Sequence, residues 1–147
     1  MKTKTIITEL TQEDLVDLLC TATYGSYWLE IYAPDKEGLQ IDDSDCREDV
    51  WAKALLAGKK IQCIDHNAEE ELYGDKGHID EDGDAVYEIG LQDIYEGLQK
   101  AMDGTYADSC DCKRWARISA ADFIKENLDN PRAECLMQVI MFNDVIY

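Results

Sequence analysis

The sequence is short of positive charge. Only 14 of its 147 residues are Lys or Arg, against 32 Asp or Glu, so the formal net charge is −18. Such a field repels free nucleic acid and anionic membranes, and it attracts a basic protein surface, especially one that binds DNA or RNA. Acidity of this kind also keeps a small protein in solution, and that interpretation requires no partner.

Long apolar runs are missing as well. The hydrophobic fraction is 46% but its segments are interrupted, which excludes both a disordered tail and a membrane-spanning protein. The first residues, "MKTKTIITELTQEDL", contain neither a continuous apolar run nor a small-residue cleavage site, so we expect no signal peptide. The expected location is the cytoplasm of the host cell, with all six cysteines reduced.

Catalytic signatures are absent from the sequence. It contains no Gly-x-Ser-x-Gly elbow, no phosphate-binding loop and no His-Glu-x-x-His pattern, and its two histidines, His66 and His78, lie in an acidic segment. We therefore assign no catalytic residue and no cofactor. An enzyme of unknown class is the third choice of function.

The cysteines raise the question of a metal site. Cys110-x-Cys112 with Cys63-x-x-His66 would supply three thiolates and an imidazole, which zinc accepts. The spacing is poor for zinc, and Cys63 equally fits a buried strand. We predict no metal here.

A calcium loop is also unsupported. Asp80, Asp82 and Asp84 stand at alternate positions, as in an EF-hand. Gly83 then falls between the acids, and Leu91 occupies the twelfth position where a Glu is needed. A solvated hairpin turn is the better interpretation.

The periodicity predicts one α+β domain covering residues 1–147, with a small, partly antiparallel sheet and about five helices. Five helices are predicted. The first runs from the N-cap Thr11 to Gly25, the second covers 46–58 after an Asp45–Glu48 capping pair, and the third covers 91–103. The fourth is capped by Ser119 with Asp122, and the fifth begins at Asn130. Strands are predicted at 27–32, 59–65 and 85–90.

The aromatic stretch "YGSYWLEIY" at 24–32 alternates like a strand. Alternation places Tyr27, Leu29 and Ile31 on the core face and Trp28, Glu30 and Tyr32 on the other face. Trp28 and Tyr32 are packed if a second layer covers that face. If the face is open, they are the best aromatic anchors for a ligand.

One local basic segment offers a different function. "CKRWAR" surrounds an aromatic ring with cations, which suits a nucleotide or phosphate pocket. An oligomer that sequesters a nucleotide signal would use Trp28, Tyr32, Lys113, Arg114, Trp115 and Arg117. Alternatively, these charges only offset neighbouring acids while Trp115 anchors a loop on the core.

Five segments resemble small uncharacterised proteins encoded on phages and mobile elements of gut Firmicutes. They are "LTQEDLVDLL" (10–19), "YGSYW" (24–28), "ALLAGKKIQCID" (54–65), "LQDIYEGLQ" (91–99) and "MQVIMFNDVIY" (137–147), in the same order across most of the chain. None is a catalytic signature, so the resemblance implies a genomic neighbourhood rather than a mechanism.

Charge and resemblance together favour a non-enzymatic accessory protein with a counter-defence role. It would bind the basic surface of a host nucleic-acid-handling protein, with carboxylates standing in for phosphates. The expected surface comprises Asp42, Asp43, Asp45, Asp49, Glu69, Glu70, Glu71, Asp80, Glu81, Asp82 and Asp84. We expect no contact with free nucleic acid or membrane, and a homo-oligomer is compatible with this interpretation.

Overall fold

The computed structural model describes residues 10–24, 26–68, 71–102 and 130–145. Its elements are α1 (Gln12–Thr23), β1 (Leu29–Tyr32), α2 (Arg47–Leu56), β2 (Ile61–Asp65), β3 (Gly77–Ile79), β4 (Ala85–Ile89), α3 (Leu91–Met102) and α4 (Asn130–Phe142). The α+β class is confirmed. Four helices are seen in these ranges rather than about five, and the predicted helix behind Ser119 lies outside the described residues.

The start of α1 follows the predicted capping residues. The Thr11 hydroxyl accepts a hydrogen bond from the Asp14 amide at 3.2 Å, and the Asp14 carboxylate accepts one from the Thr11 amide at 3.0 Å. This reciprocal box satisfies two amides that the first helical turn leaves without a partner. Leu15, Leu18, Leu19 and Ala22 then face the core.

The start of α2 lies one residue later than the predicted cap. The Cys46 amide donates to the Asp49 carboxylate at 3.1 Å, so Cys46 is the N-cap. Asp45 is instead held by Lys53, whose ammonium lies 2.5 Å from its carboxylate. The predicted Asp45–Glu48 pair is therefore wrong, because the Lys53 ion pair competes for the same carboxylate.

The sheet is antiparallel throughout, in the order β1–β2–β4–β3. The sequence predicts three of its strands but not β3, which is three residues long and lies inside the acidic segment. Gly77 of β3 pairs with Tyr87, and a Cβ at this position would lie 2.7 Å from the Tyr87 ring. Glycine therefore lets the β3 edge close over a buried aromatic ring.

The core lies between one face of the sheet and a single layer of helices. We call this the inner face, and its buried side chains are Leu29, Ile31, Ile61, Cys63, Tyr87 and Ile89. In the helix layer α1 packs between α2 and α4, and α3 packs on the far side of α4. Gly97 makes that last contact close, since a Cβ there would lie 2.4 Å from Ile140 Cγ1. None of the described helices combines the length and the apolar character needed to cross a bilayer.

The aromatic stretch before and within β1 departs from the predicted alternation. The strand begins at Leu29, and Tyr27 is 97% exposed instead of facing the core. Trp28 is only 6% exposed, and its ring lies 6.1 Å from that of Phe142 in α4. Side chains alternate between the two faces only within the paired strand, which begins at Leu29. Tyr27 and Trp28 precede it, and each lies on the side opposite to the one predicted.

Candidate functional site

Most of the described carboxylates of the predicted acidic surface fall into two separate groups, whereas Asp49 lies in α2 and Glu71 precedes β3. We call residues 80–84 the acidic turn and residues 35–45 the acidic loop. The acidic turn precedes Ala85, which pairs through Asp65 with Leu29 at one end of the sheet. The acidic loop follows the other end, where Tyr32 pairs with Gln62. The two groups therefore lie at opposite ends of the strands.

The acidic turn is fixed by its own hydrogen bonds. The Asp80 carboxylate accepts from the amides of Asp82 at 3.0 Å and Asp84 at 2.8 Å, and Gly83 has a φ of +85°. Carboxylate oxygens of Asp80, Asp82 and Asp84 all lie within 4.8 Å of one another. Glu81 and Asp82 are exposed at the tip. The turn therefore presents concentrated negative charge on a defined backbone.

A cation is the complement of such a group. The three aspartates are the one set of three metal-ligand side chains that the described ranges bring together. Calcium takes 6–8 oxygen ligands, so these residues could hold it only with much help from water. A lysine or arginine side chain of a partner protein fits the same charge without that requirement.

The acidic loop is partly used for structure. Asp45 accepts from Lys53, which lowers the pKa of its carboxyl group, and Lys53 also donates to the Gln40 carbonyl at 2.8 Å. Asp49, in the first turn of α2, caps that helix. Asp42 and Asp43 remain exposed.

Ion pairs in the described ranges leave the exposed acids uncompensated. The pairs join Arg47 to Glu48, Lys53 to Asp45, Lys59 to Asp35, His66 to Glu30 and Lys76 to Asp93. None of them involves Asp42, Asp43, Glu71 or the acidic turn. Among the described residues, these exposed carboxylates have no ion-pair partner.

A network on the other face of the sheet escaped sequence analysis. His66 Nε2 lies 3.0 Å from Glu30 Oε1, and Glu30 also accepts a hydrogen bond from the Tyr32 hydroxyl. The Tyr32 bond and then His66 lower the pKa of Glu30, while Glu30 raises the pKa of Tyr32. The antiparallel register of β1 and β2 brings these residues together. No local sequence motif predicts this network.

The structure does not bring together all the residues that a zinc site or a nucleotide site would require. Burial raises the pKa of the Cys63 thiol, and Cys63 faces the core whereas His66 lies on the opposite face with Glu30. Trp28 packs in the core, while Tyr32 is 46% exposed. The remaining predicted residues lie outside the described ranges, namely Glu69, Glu70, Cys110, Cys112, Lys113, Arg114, Trp115 and Arg117.

The described chemistry is thus that of a charged surface. It combines a fixed acidic turn, an exposed part of the acidic loop and an ionisable network on the sheet. Comparison of the chain with family models, with curated proteins and with solved structures gave no match.

Proposed function

We propose that the protein is a non-enzymatic binding protein whose carboxylates engage the basic surface of a nucleic-acid-handling protein. The acidic turn is the observation that carries the proposal. One carboxylate oxygen from each of its three aspartates lies within 4.8 Å of the other two, and the Asp80 carboxylate accepts hydrogen bonds from two backbone amides of the turn. A fixed array of negative charge binds cationic side chains with less loss of conformational freedom than a mobile one.

Long-range electrostatics supports the same function. A net charge of −18 accelerates encounter with a positively charged partner and disfavours negatively charged competitors. A nuclease or other nucleic-acid-binding protein displays such a positive surface. In the setting that the resemblance to phage-encoded proteins implies, this partner is a host defence protein and the role is counter-defence.

The test is binding to purified defence nucleases of a Firmicute host at increasing salt. We expect affinity to fall as salt rises and DNA to compete for the same surface. The double variant Glu81→Gln, Asp82→Asn should weaken binding about fivefold or more, because both side chains are exposed at the tip. It spares Asp80, whose carboxylate holds the turn.

The matched control is Glu13→Gln with Glu96→Gln, which removes two negative charges at exposed positions outside the acidic turn and the acidic loop. It should leave most of the affinity intact. Binding that is insensitive to salt, or equal loss in the two double variants, would contradict a specific role of the acidic turn.

A further inference from the structure

A cavity of about 260 Å³ lies between the outer edge of β1 and the first turns of α2. Its apolar walls are Ile31, Ala33, Val50 and Trp51, and its cationic side chains are Lys36 and Arg47. We call this cavity the β1 edge groove. It is separate from the acidic turn, since it runs along β1 on the α2 side.

Within the described ranges, the backbone of β1 pairs on one side only and is left without a strand partner on the side of this groove. β1 is an edge strand whose one described neighbour is β2. The His66 amide donates to the Trp28 carbonyl at 2.7 Å, so Trp28, and by alternation Glu30 and Tyr32, direct their backbone groups toward β2. Leu29 and Ile31 then direct their amide and carbonyl groups outward, where an added strand would meet them.

Two cationic side chains, Lys36 and Arg47, line the groove together with one carboxylate, that of Glu30. Lys36 takes part in none of the ion pairs of the described ranges. Arg47 contacts Glu48 through Nε at 2.9 Å, and its guanidinium lies 5.3 Å from the centre of the Trp51 ring. The terminal nitrogens of Arg47 can still bind a carboxylate, since its side chain is 66% exposed.

We propose that the β1 edge groove binds an extended peptide that pairs with β1 and carries one carboxylate. Leu29 and Ile31 would exchange main-chain hydrogen bonds with the peptide, as in strand addition to a sheet edge. Val50 and Trp51 would contact an apolar side chain. The carboxylate would be held by Arg47 and Lys36.

The net charge of the whole chain further restricts which peptides the groove can bind. A net charge of −18 repels a strongly acidic peptide, and Glu30 also borders the groove. A second copy of this chain is disfavoured for the same reason. The peptide that fits is close to neutral, with a single carboxylate between apolar or hydroxyl-bearing side chains. This proposal does not depend on the acidic turn.

The experiment uses the blocked peptide acetyl-Thr-Val-Asp-Val-Thr-amide and the full-length isotope-labelled protein, followed by NMR. We expect shift changes at the amides of Leu29 and Ile31 and at the indole of Trp51. Replacing the peptide Asp with Asn should weaken binding about tenfold, as expected for loss of a charge-assisted hydrogen bond. Arg47→Gln should remove most of that discrimination, whereas Lys60→Gln, an exposed cation outside the groove, should leave it unchanged.

Strand pairing is tested on the peptide, so the protein fold is not at risk. Methyl groups on the alternate amides that face β1 should abolish binding, and methyl groups on the other alternate amides should be tolerated. Equal effects of the two methylation patterns, or equal affinity for the Asp and Asn peptides, would overturn the proposal. So would a dimer in sedimentation that Arg47→Gln dissociates, which would assign the edge to a second copy.

Discussion

The two faces of the sheet use the same four strands in opposite ways. On the inner face, Ile61, Cys63 and Ile89 are fully buried under the helix layer. On the outer face, Glu30 contacts His66, and Gln62 donates to Glu88 at 3.0 Å. Successive residues of one strand therefore serve the core and the polar surface in turn.

The contrast shows that the polarity of a residue does not by itself determine which face of the sheet it occupies. Ile64 and Val86 are apolar residues of the outer face, and Val86 is buried without belonging to the core cluster. Asp65 is a carboxylate at the inner-face end of β2, 2% exposed, with its side chain accepting from the Asn67 amide at 2.9 Å. Neighbouring strands and turns determine the surroundings of each side chain.

The largest difference between the faces should appear when the same change is made on both sides of β2. Ile61→Ala should reduce the free energy of unfolding by about 2–5 kcal/mol, because it leaves a cavity in the core. Ile64→Ala on the half-buried outer face should reduce it by about 1 kcal/mol or less. Urea denaturation measures both, and equal losses would contradict the assignment of the faces.

A smaller difference is expected for two Tyr→Phe changes. The Tyr87 hydroxyl accepts from the Tyr73 amide at 2.9 Å inside the core, so Tyr87→Phe should reduce the free energy of unfolding by about 1 kcal/mol. Tyr32→Phe should change it by less than about 0.5 kcal/mol, because Tyr32 lies on the surface with 46% of its area exposed. Thermal melts of both variants measure these two losses of stability. A greater loss in Tyr32→Phe than in Tyr87→Phe would contradict the prediction.

The smallest effect concerns the ionisation of Glu30. Because its pKa is lowered in the folded protein, its carboxylate contributes stability above its unfolded-state pKa and loses it as the pH falls through the folded value. Tyr32→Phe should raise the pKa of Glu30, and His66→Gln should raise it as well, since both side chains lower that pKa in the folded protein. Carboxyl NMR titration measures this, and an unchanged midpoint in Tyr32→Phe would refute the network.

Sequence patterns predicted the elements with strong local signals. Thr11 marked the start of α1, and Asn130 marked the start of α4. Tyr27 was assigned to the wrong side because it lies outside the strand ladder. β3 was missed because its three residues are held by pairing with β4 rather than by their own β-propensity.

The candidate sites divide in the same way. The acidic turn was visible in sequence as alternating aspartates, and its position in a hairpin followed from the glycine. Its separation from the acidic loop was not visible, because it depends on strand order. The β1 edge groove joins residues of a strand and of the following helix, and only their packing creates it.

By itself the sequence determined the α+β class, the start of α1, the net negative charge and the absence of familiar catalytic signatures. These follow from composition and short-range spacing, which do not require knowledge of contacts between distant segments. Tertiary structure alone decided which described strands lie at the edges of the sheet, which side Trp28 occupies and which residues contact Glu30. Such properties depend on contacts between distant segments, whose pairing is selected by burial of the whole core.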